Sequence, residues 1–254
     1  MIYAIHAGHG LKGKGTVGAV AFLDESVEAR EICRRVIEHI KANGDTAIDC
    51  TEDCGTQNQI LASIVKKTNA SKADFAISIH FNAGAKKTAD SKTTGTEVLV
   101  YNTTSKAIPM ARRISEKIAA LGYKNRGIKY SPTLYVLKKT NMPTLLIECC
   151  FVDDPDDARA YNRDTMAKAI AEGILDRALT ISHPSLSPQP NAMGEYRVRI
   201  KTASLNIRKE PKSTSKSVGV VTFGNVYTIV DQVGNWGKLK SGAGWISLKY
   251  TERA

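Results

Sequence analysis

The sequence predicts an α/β domain, a doubly wound and mainly parallel sheet with helices on both faces, followed by a small C-terminal all-β barrel. Short apolar runs alternate with longer amphipathic segments over residues 1–180, which is typical of strands and helices in alternation. Residues 181–194 are rich in proline and serine, and their apolar residues show neither the helical nor the strand period. This composition indicates a linker. Residues 195–254 carry short β-rich runs separated by turn residues.

In the first domain, the apolar runs are expected to be strands because they are four to eight residues long and rich in branched residues. They are Ile2–Ala7, Thr46–Cys50, Phe75–His80, Thr96–Tyr101, Leu134–Leu137 and Thr144–Phe151. Helices are expected from about Asp24 to Ala42, Gln57 to Asn69, Ser105 to Leu121 and Arg163 to Leu179.

In the second domain, turn signals such as Gly224-Asn225 and Gly234-Asn235 separate the strand candidates. The expected strands are Tyr196–Lys201, Ser217–Thr222, Val226–Asp231, Gly237–Lys240 and Gly244–Leu248.

Composition and charge narrow the functional classes. Hydrophobic residues make up 42% of the chain and charged residues 24%, which is typical of a globular protein with a real core. The net charge is +11, and residues 195–254 hold eleven Lys/Arg against four Asp/Glu, or +7. A basic surface attracts polyanions, whether nucleic acid, anionic lipid or anionic cell-wall polymer.

Neither secretion nor membrane insertion is expected. The first ten residues lack a basic segment and a long apolar core, so we expect no signal peptide and synthesis in the cytoplasm. No run approaches the roughly 20 apolar residues that span a bilayer. The five cysteines, Cys33, Cys50, Cys54, Cys149 and Cys150, are an odd number and are expected to be reduced core residues.

Three polar residues stand where the strands of a parallel sheet should be apolar. His9 follows the first strand, His80 ends the third run, and Glu148 interrupts the last one. An unpaired charge in a sheet buried on both faces is costly, so these positions indicate function. They lie at or near the carboxyl ends of strands, where open α/β sheets bind ligands.

Two imidazoles and a carboxylate are suitable zinc ligands, and a catalytic zinc site needs three protein ligands with one position left open. If Glu148 is kept free as a base, Glu25 at the start of the first helix is the candidate for the third ligand. Glu28, one helical turn later, competes with it.

These residues belong to four separated motifs, which are Ala7-Gly8-His9-Gly10, Leu23-Asp24-Glu25, Ser78-Ile79-His80-Phe81-Asn82-Ala83 and Leu146-Ile147-Glu148 with Phe151-Val152-Asp153-Asp154-Pro155. In this order they resemble the zinc-dependent N-acetylmuramoyl-L-alanine amidases of the type 3 family, over about 180 residues. The resemblance implies that His9, Glu25 and His80 bind Zn²⁺ and that Glu148 is catalytic. That family usually begins its first motif with Asp, where this chain has His6, which leaves open that His6 rather than His9 binds the metal.

The glycine-rich stretch after the first strand nearly matches two nucleotide-binding patterns. A P-loop requires Ser or Thr after its lysine, and Gly15 follows Lys14 here. The dinucleotide pattern joins a strand directly to a helix, whereas several residues separate Gly18 from the expected helix start at Asp24. We therefore expect no nucleotide.

The second domain resembles the bacterial SH3-type wall-binding barrels. The matching segments are Ser204–Arg208, Pro211, Phe223-Gly224, Gly234–Leu239 and Gly244–Tyr250. Leu205, Ile207, Val230 and Trp245 are expected to be core. Trp236, Tyr196 and Tyr250 are candidates for an aromatic wall-binding surface.

The two resemblances imply a peptidoglycan hydrolase that cuts the bond between N-acetylmuramic acid and L-alanine with a zinc-activated water. Without a signal peptide, it resembles a phage endolysin that lyses the host after release from its cytoplasm; a bacterial autolysin is the alternative origin. A zinc peptidase that cuts within the stem peptide is the alternative activity. The expected partners are peptidoglycan and anionic wall polymers, whereas nucleic-acid binding by the basic barrel and membrane binding are not expected.

Overall fold

In the computed structural model, the chain forms two compact units, residues 1–183 and 184–254. The structure describes residues 1–11, 18–53, 55–85, 88–180, 196–233 and 235–253. The expected linker 181–194, Cys54 and most of the glycine-rich stretch lie outside these residues.

A six-stranded sheet forms the centre of the first unit, in the order β2-β1-β3-β6-β4-β5. All neighbouring strands are parallel except β4 and β6. The prediction of a mainly parallel sheet is therefore confirmed. The strands are β1 (Ile2–Ala7), β2 (Thr46–Asp49), β3 (Phe75–Asn82), β4 (Thr96–Val100), β5 (Asn125–Tyr130) and β6 (Thr144–Phe151).

Helices cover both faces of this sheet. The helices are α1 (Glu25–Ala42), α2 (Gln57–Ala70), α3 (Ile108–Ala119), α4 (Tyr135–Lys139), α5 (Pro155–Ala160) and α6 (Arg163–Leu175). Helices α1, α3 and α6 share a large apolar core with one face. Helices α2 and α4 pack together on the other face, where they form a smaller cluster with β6.

One expected strand of the sheet was wrong, and one strand was missed. The apolar run Leu134–Leu137 is not a strand. Leu134 is the N-cap of α4 and the other three residues form its first turn, where Val136 and Leu137 are buried against α2. The fifth strand is instead β5, whose sequence Asn-Arg-Gly-Ile-Lys-Tyr is half-exposed. An edge strand needs little apolar content, so it leaves a weak hydrophobic signal.

Buried carboxylates after β6 hold the loop between β3 and β4. The Asp157 side chain is fully buried and accepts hydrogen bonds from the backbone N–H groups of Gly95 and Phe151, the latter at 2.7 Å. Asp154 accepts one from the N–H of Thr94, also at 2.7 Å. Hydrogen bonds to a charged acceptor are short and strong, so this loop is fixed to the carboxyl end of β6.

The second unit is a seven-stranded antiparallel sheet in the order β13-β7-β10-β11-β12-β8-β9. Its strands are β7 (Tyr196–Ile200), β8 (Ser204–Arg208), β9 (Ser217–Thr222), β10 (Val226–Val233), β11 (Trp236–Leu239), β12 (Trp245–Ser247) and β13 (Thr251–Arg253). Its apolar core consists of the buried residues Val198, Ile200, Ile207, Val221, Ile229, Leu239 and Ile246, with Leu205 packed against them. Ile229 is buried where the expectation placed Val230, which is half-buried.

Cys33, Cys50, Cys149 and Cys150 are buried and free, as expected for core thiols. Among the described residues, no helix combines the length and apolarity needed to cross a bilayer.

Removal of the Asp157 carboxylate tests how firmly the loop is held. Asp157→Ala leaves two buried N–H groups unpaired, and we expect it to lower the free energy of unfolding of the first unit by about 2–4 kcal/mol. Glu116→Ala, at an exposed position on α3, is the control, and we expect it to change the free energy of unfolding by no more than about 0.5 kcal/mol. The helical circular dichroism signal follows the first unit, and the fluorescence of the chain's two tryptophans, Trp236 and Trp245, follows the second. An unchanged helical transition in Asp157→Ala would show that the loop is held by other contacts.

Candidate metal centre and its neighbouring carboxylate

Three candidate ligands come together at the carboxyl ends of β1 and β3. His9 lies two residues beyond β1, His80 lies near the end of β3, and Glu25 is the first residue of α1. One ligand atom from each lies within 4.8 Å of the other two. Glu25 Oε1 is 3.1 Å from His80 Nδ1 and 3.4 Å from His9 Nε2.

This spacing fits a small tetrahedral ion. Zinc–nitrogen and zinc–oxygen bonds of about 2.0–2.1 Å in tetrahedral geometry separate neighbouring ligand atoms by roughly 3.3 Å. The two distances to Glu25 Oε1 bracket that value. Two imidazoles and one carboxylate also form a donor set that suits Zn²⁺ and leaves a fourth position open.

Backbone donors orient the Glu25 carboxylate. Its Oε2 accepts from the N–H of Ala19 at 2.9 Å, and its Oε1 accepts from the N–H of Phe81 at 3.2 Å. Burial alone would raise its pKa, but the hydrogen bonds to His80 and His9 outweigh burial and hold the pKa of Glu25 well below its usual value. The carboxylate therefore remains ionised and available as a ligand.

Two glycines make room for the ligands. A Cβ at Gly8 would lie 2.0 Å from the His80 imidazole, and a Cβ at Gly18 would lie 2.3 Å from Glu25 Oε2. His9 itself adopts the left-handed region with φ of 58°, which is uncommon for a residue with a side chain. Such backbone strain is often found at functional sites.

Glu28 does not share this site. Its carboxylate accepts two hydrogen bonds from Arg163, both at 2.7 Å, and a third from the Tyr161 hydroxyl at 2.9 Å. These three hydrogen bonds occupy the Glu28 carboxylate and connect α1 to the start of α6. Of the two candidates on α1, the geometry therefore favours Glu25 as the ligand.

Glu148 lies beside the three candidate ligands but is not part of their cluster. It pairs with His80 across β3 and β6, and its Oε2 is buried without a hydrogen-bond partner among the described residues. Burial raises the pKa of Glu148 well above its usual value, and the charges of Glu25 and Glu97 add to the shift. A carboxylate in this state accepts a proton readily.

The residues beyond Glu148 are a part of the site that the sequence analysis missed. Glu97 on β4 pairs directly with Glu148, accepts from Arg126 Nε at 2.8 Å and accepts from Asn82 Nδ2 at 3.0 Å. A charged residue inside the apolar run Thr96–Val100 was the available signal. The same criterion had selected Glu148.

His6 is buried to 1% exposure and stands outside the ligand cluster. The geometry therefore places His9, and not His6, with Glu25 and His80. The His6 Nδ1 lies 3.4 Å from both the Ala7 carbonyl oxygen and Ser78 Oγ, and its Nε2 has no partner among the described residues. Burial, with a contribution from His80, lowers the pKa of His6 to about 4, so the ring is neutral at neutral pH.

A cavity of about 240 Å³ opens beside these residues. His6, Gly8, His80, Leu146 and Glu148 line it from the sheet. Its other walls come from α2 and from the segment that begins α4, namely Ile60, Leu61, Ile64, Leu134, Tyr135 and Val136, with His9 and Gln57 completing the lining.

In the second unit, the three candidate aromatic residues occupy different environments. Trp236 is half-buried on β11, and Tyr250 is 50% exposed in a short 3₁₀ turn. Tyr196 packs against the core, and its hydroxyl donates to Gln232. Tyr196 and Trp236 flank β10 from opposite sides. Trp245 is buried, as expected, with the Lys238 ammonium 5.8 Å from its ring centre.

Comparison with protein families gives two matches. Residues 4–179 match the family described as N-acetylmuramoyl-L-alanine amidase. Residues 203–252 match the bacterial SH3 domain.

Individual relatives agree with these matches. The endolysin of Bacillus phage SPP1 is 30% identical over 66% of this chain and 61% of its own length. The N-acetylmuramoyl-L-alanine amidase LytC of Bacillus subtilis is 32% identical over 67% of this chain and 34% of its own length. Among solved structures, the catalytic domain of the CD27L endolysin targeting Clostridia difficile superposes with a TM-score of 0.63, at 25% identity over 70% of this chain and 98% of that domain.

Proposed function

Because the chain belongs to the N-acetylmuramoyl-L-alanine amidase family, we propose that it hydrolyses the amide between N-acetylmuramic acid and the L-alanine of peptidoglycan with the aid of zinc. The observation that carries this proposal is the convergence of His9, Glu25 and His80, with ligand atoms within 4.8 Å of one another, beside Glu148, whose Oε2 has no partner among the described residues. His9, Glu25 and His80 are the proposed ligands. A zinc ion held there would supply a Lewis acid that polarises the amide carbonyl and acidifies water.

Glu148 is the proposed general base and general acid. No described residue donates a hydrogen bond to its Oε2, and the side chain is only half-buried, so the carboxylate is free to accept a proton from the attacking water. Its raised pKa favours the protonated carboxyl, which can then donate to the departing alanine nitrogen. The water oxygen joins the carbonyl carbon, the carbon–nitrogen bond breaks, and the products are a lactyl carboxylate and a stem peptide with a free amino group.

The second unit is proposed to hold the enzyme on the wall. On β11, Trp236 and Lys238 are two residues apart and therefore share one face of the sheet, with Ser247 of β12 paired to Trp236. This face carries an aromatic ring beside a cation, and residues 195–254 have a net charge of +7. A glycan strand or an anionic wall polymer fits that combination. We propose that attachment raises the local concentration of the catalytic unit on its substrate.

Lysis of a bacterial cell wall, as by an endolysin, is the proposed biological role. The similarity to a phage endolysin and to a bacterial wall amidase is comparable in extent. The solved structures that the first unit resembles likewise include an endolysin catalytic domain and bacterial amidases.

The metal proposal is tested by a matched pair of substitutions on α1. Glu25→Gln removes the proposed anionic ligand, and we expect zinc affinity to fall by more than about 100-fold, beyond the usual loss for an outer-shell partner. Glu28→Gln keeps an acceptor for Arg163 and should retain zinc. Elemental analysis and titration with a chelator measure binding, and chelation of the wild type should abolish wall lysis until zinc is restored. Full activity in protein verified to be metal-free would refute the role of zinc.

Glu148→Gln separates chemistry from metal binding. The substitution preserves shape, so we expect about one zinc per chain and a cleavage rate lower by about 10²–10⁴-fold, as for loss of a general acid–base. New amino termini released from purified walls give the rate, and their identity distinguishes the two activities. Amino-terminal L-alanine supports the amidase, whereas other new termini would indicate a stem-peptide peptidase. Loss of zinc in this variant would make Glu148 a ligand instead.

The proposed roles of the two units are tested with separate fragments and with substitutions in the second unit. Residues 1–180 hold every proposed catalytic residue and should cleave the amide alone, whereas residues 195–254 should bind walls without cutting them. Binding should weaken as salt screens the basic surface. Trp236→Ala should reduce sedimentation with walls. Phe223→Ala, at an exposed aromatic residue, is the control. Trp245→Ala should chiefly damage folding because Trp245 is buried. A folded 1–180 fragment without activity, or a 195–254 fragment that ignores walls, would refute this account.

A further inference from the structure

The Arg30 side chain joins three segments next to the metal centre. Arg30 lies on α1 beyond Glu25, and its side chain is 16% exposed. Its Nη1 donates to the Ser26 carbonyl of the same helix at 2.8 Å. Its Nε donates to Asp53 Oδ1, in the segment after β2, at 2.8 Å, and its Nη2 donates to the His9 carbonyl oxygen, also at 2.8 Å. Arg30 therefore fixes the His9 carbonyl relative to the helix that carries Glu25.

The guanidinium of Arg30 is itself held in place before it reaches His9. Asp53 Oδ1 accepts from Nη2 as well as from Nε, and the Glu52 carbonyl oxygen accepts from Nη2 at 3.2 Å. A guanidinium presents its donors in a rigid planar fork, so contacts on several of its nitrogens set the plane of the whole group. Hydrogen bonds that pair a cation with a carboxylate are also among the strong ones. The donor that contacts His9 thus has a fixed position.

His9 has a backbone conformation that needs such support. Its φ of 58° lies in the left-handed region, where the Cβ of an L-residue crowds the following carbonyl oxygen. On the amino side of His9, the Gly8 N–H donates to the Ile79 carbonyl at 2.9 Å. On the carboxyl side, Arg30 holds the carbonyl of His9 itself. Because the chain is held on both sides, the direction in which the His9 imidazole leaves the backbone is fixed as well.

We propose that Arg30 is a positioning residue for the metal centre, which holds the His9 backbone in its left-handed conformation and so directs Nε2 towards Glu25. This inference rests on the proposed function, in which His9 binds zinc. A ligand that already has its bound direction loses less freedom when the metal binds, so the affinity for the metal is higher. Arg30 acts in this way through His9, without contact to the metal or the substrate.

The positive charge of Arg30 makes the sign of the effect informative. A cation near a Zn²⁺ site repels the ion, so loss of the charge alone would tighten zinc binding. Loss of a positioning contact weakens it. We expect Arg30→Met, which keeps an apolar stem, to lower zinc affinity by about 10–100-fold, as for other partners that orient a ligand. Arg34→Met is the matched control, because it removes the same charge from α1 at a side chain that bonds to Glu31 and Glu38.

A second substitution shows whether Arg30 acts through His9. In a His9→Ala background the positioned side chain is absent, so Arg30→Met should change zinc affinity by less than about threefold, since the two effects are then not additive. Competition with a chelator at constant salt gives the affinities of the wild type, both single variants and the double variant. The visible absorption of bound Co²⁺ is an independent readout of the ligands. The spectrum of Arg30→Met should shift towards that of His9→Ala, whereas that of Arg34→Met should match the wild type.

Circular dichroism of the metal-free full chain verifies that each variant is folded. If Arg30→Met does not fold, Arg30→Lys takes its place, and we expect at least about a threefold loss of zinc affinity because an ammonium lacks the planar fork. An unchanged or higher affinity in the folded variant would overturn the role of Arg30. An equal loss in the His9→Ala background or in Arg34→Met would overturn it as well. A wild type that binds no zinc would instead refute the proposed metal centre itself.

Discussion

The site depends on one carboxylate oxygen that two imidazoles approach. Glu25 Oε1 lies within 3.4 Å of both His9 Nε2 and His80 Nδ1, although the three residues come from a loop, a helix and a strand. Elements can meet this closely only if nothing larger than hydrogen stands between them, which accounts for Gly8 and Gly18. A buried carboxylate must also find donors, and the N–H groups of Ala19 and Phe81 supply them. The local backbone is thus arranged around a single anion.

One face of the sheet packs against the large apolar core, and the other face carries the candidate site. Odd-numbered positions of β1, β3 and β6, such as Ile5, Ile79 and Ile147, point into the large core beneath α1, α3 and α6. Even-numbered positions on the same strands point to the other face and include His6, His80 and Glu148. Because successive side chains of a strand alternate between faces, a strand can be apolar on one side and polar on the other without loss of pairing. Helices α2 and α4 cover this side incompletely and leave the cavity.

How much the sequence could predict follows from this arrangement. His80 and Glu148 lie inside apolar strands and His9 follows one, so a rule about burial selected them from the sequence. Glu25 and Glu28 lie on one helix, and only the contacts of Glu28 with Arg163 and Tyr161 separate their roles. Those contacts join α1 to a segment about 135 residues later, a distance that local pattern cannot bridge. The edge strand β5 was not predicted for the opposite reason, because an exposed strand does not need the apolar residues by which a strand is recognised in a sequence.

Two buried polar atoms without partners among the described residues lie on the face that carries the site. His6 Nε2 and Glu148 Oε2 are both buried without partners among the described residues, and each such atom costs about 1–3 kcal/mol. The left-handed backbone at His9 adds strain at the same place. A fold can bear these costs only if stability is secured elsewhere, and the apolar core beneath α1, α3 and α6 lies on the opposite side of the sheet. A substitution that satisfies Glu148 internally should therefore stabilise the protein while removing the carboxylate that is proposed to act on the substrate, so stability and activity oppose each other at this site.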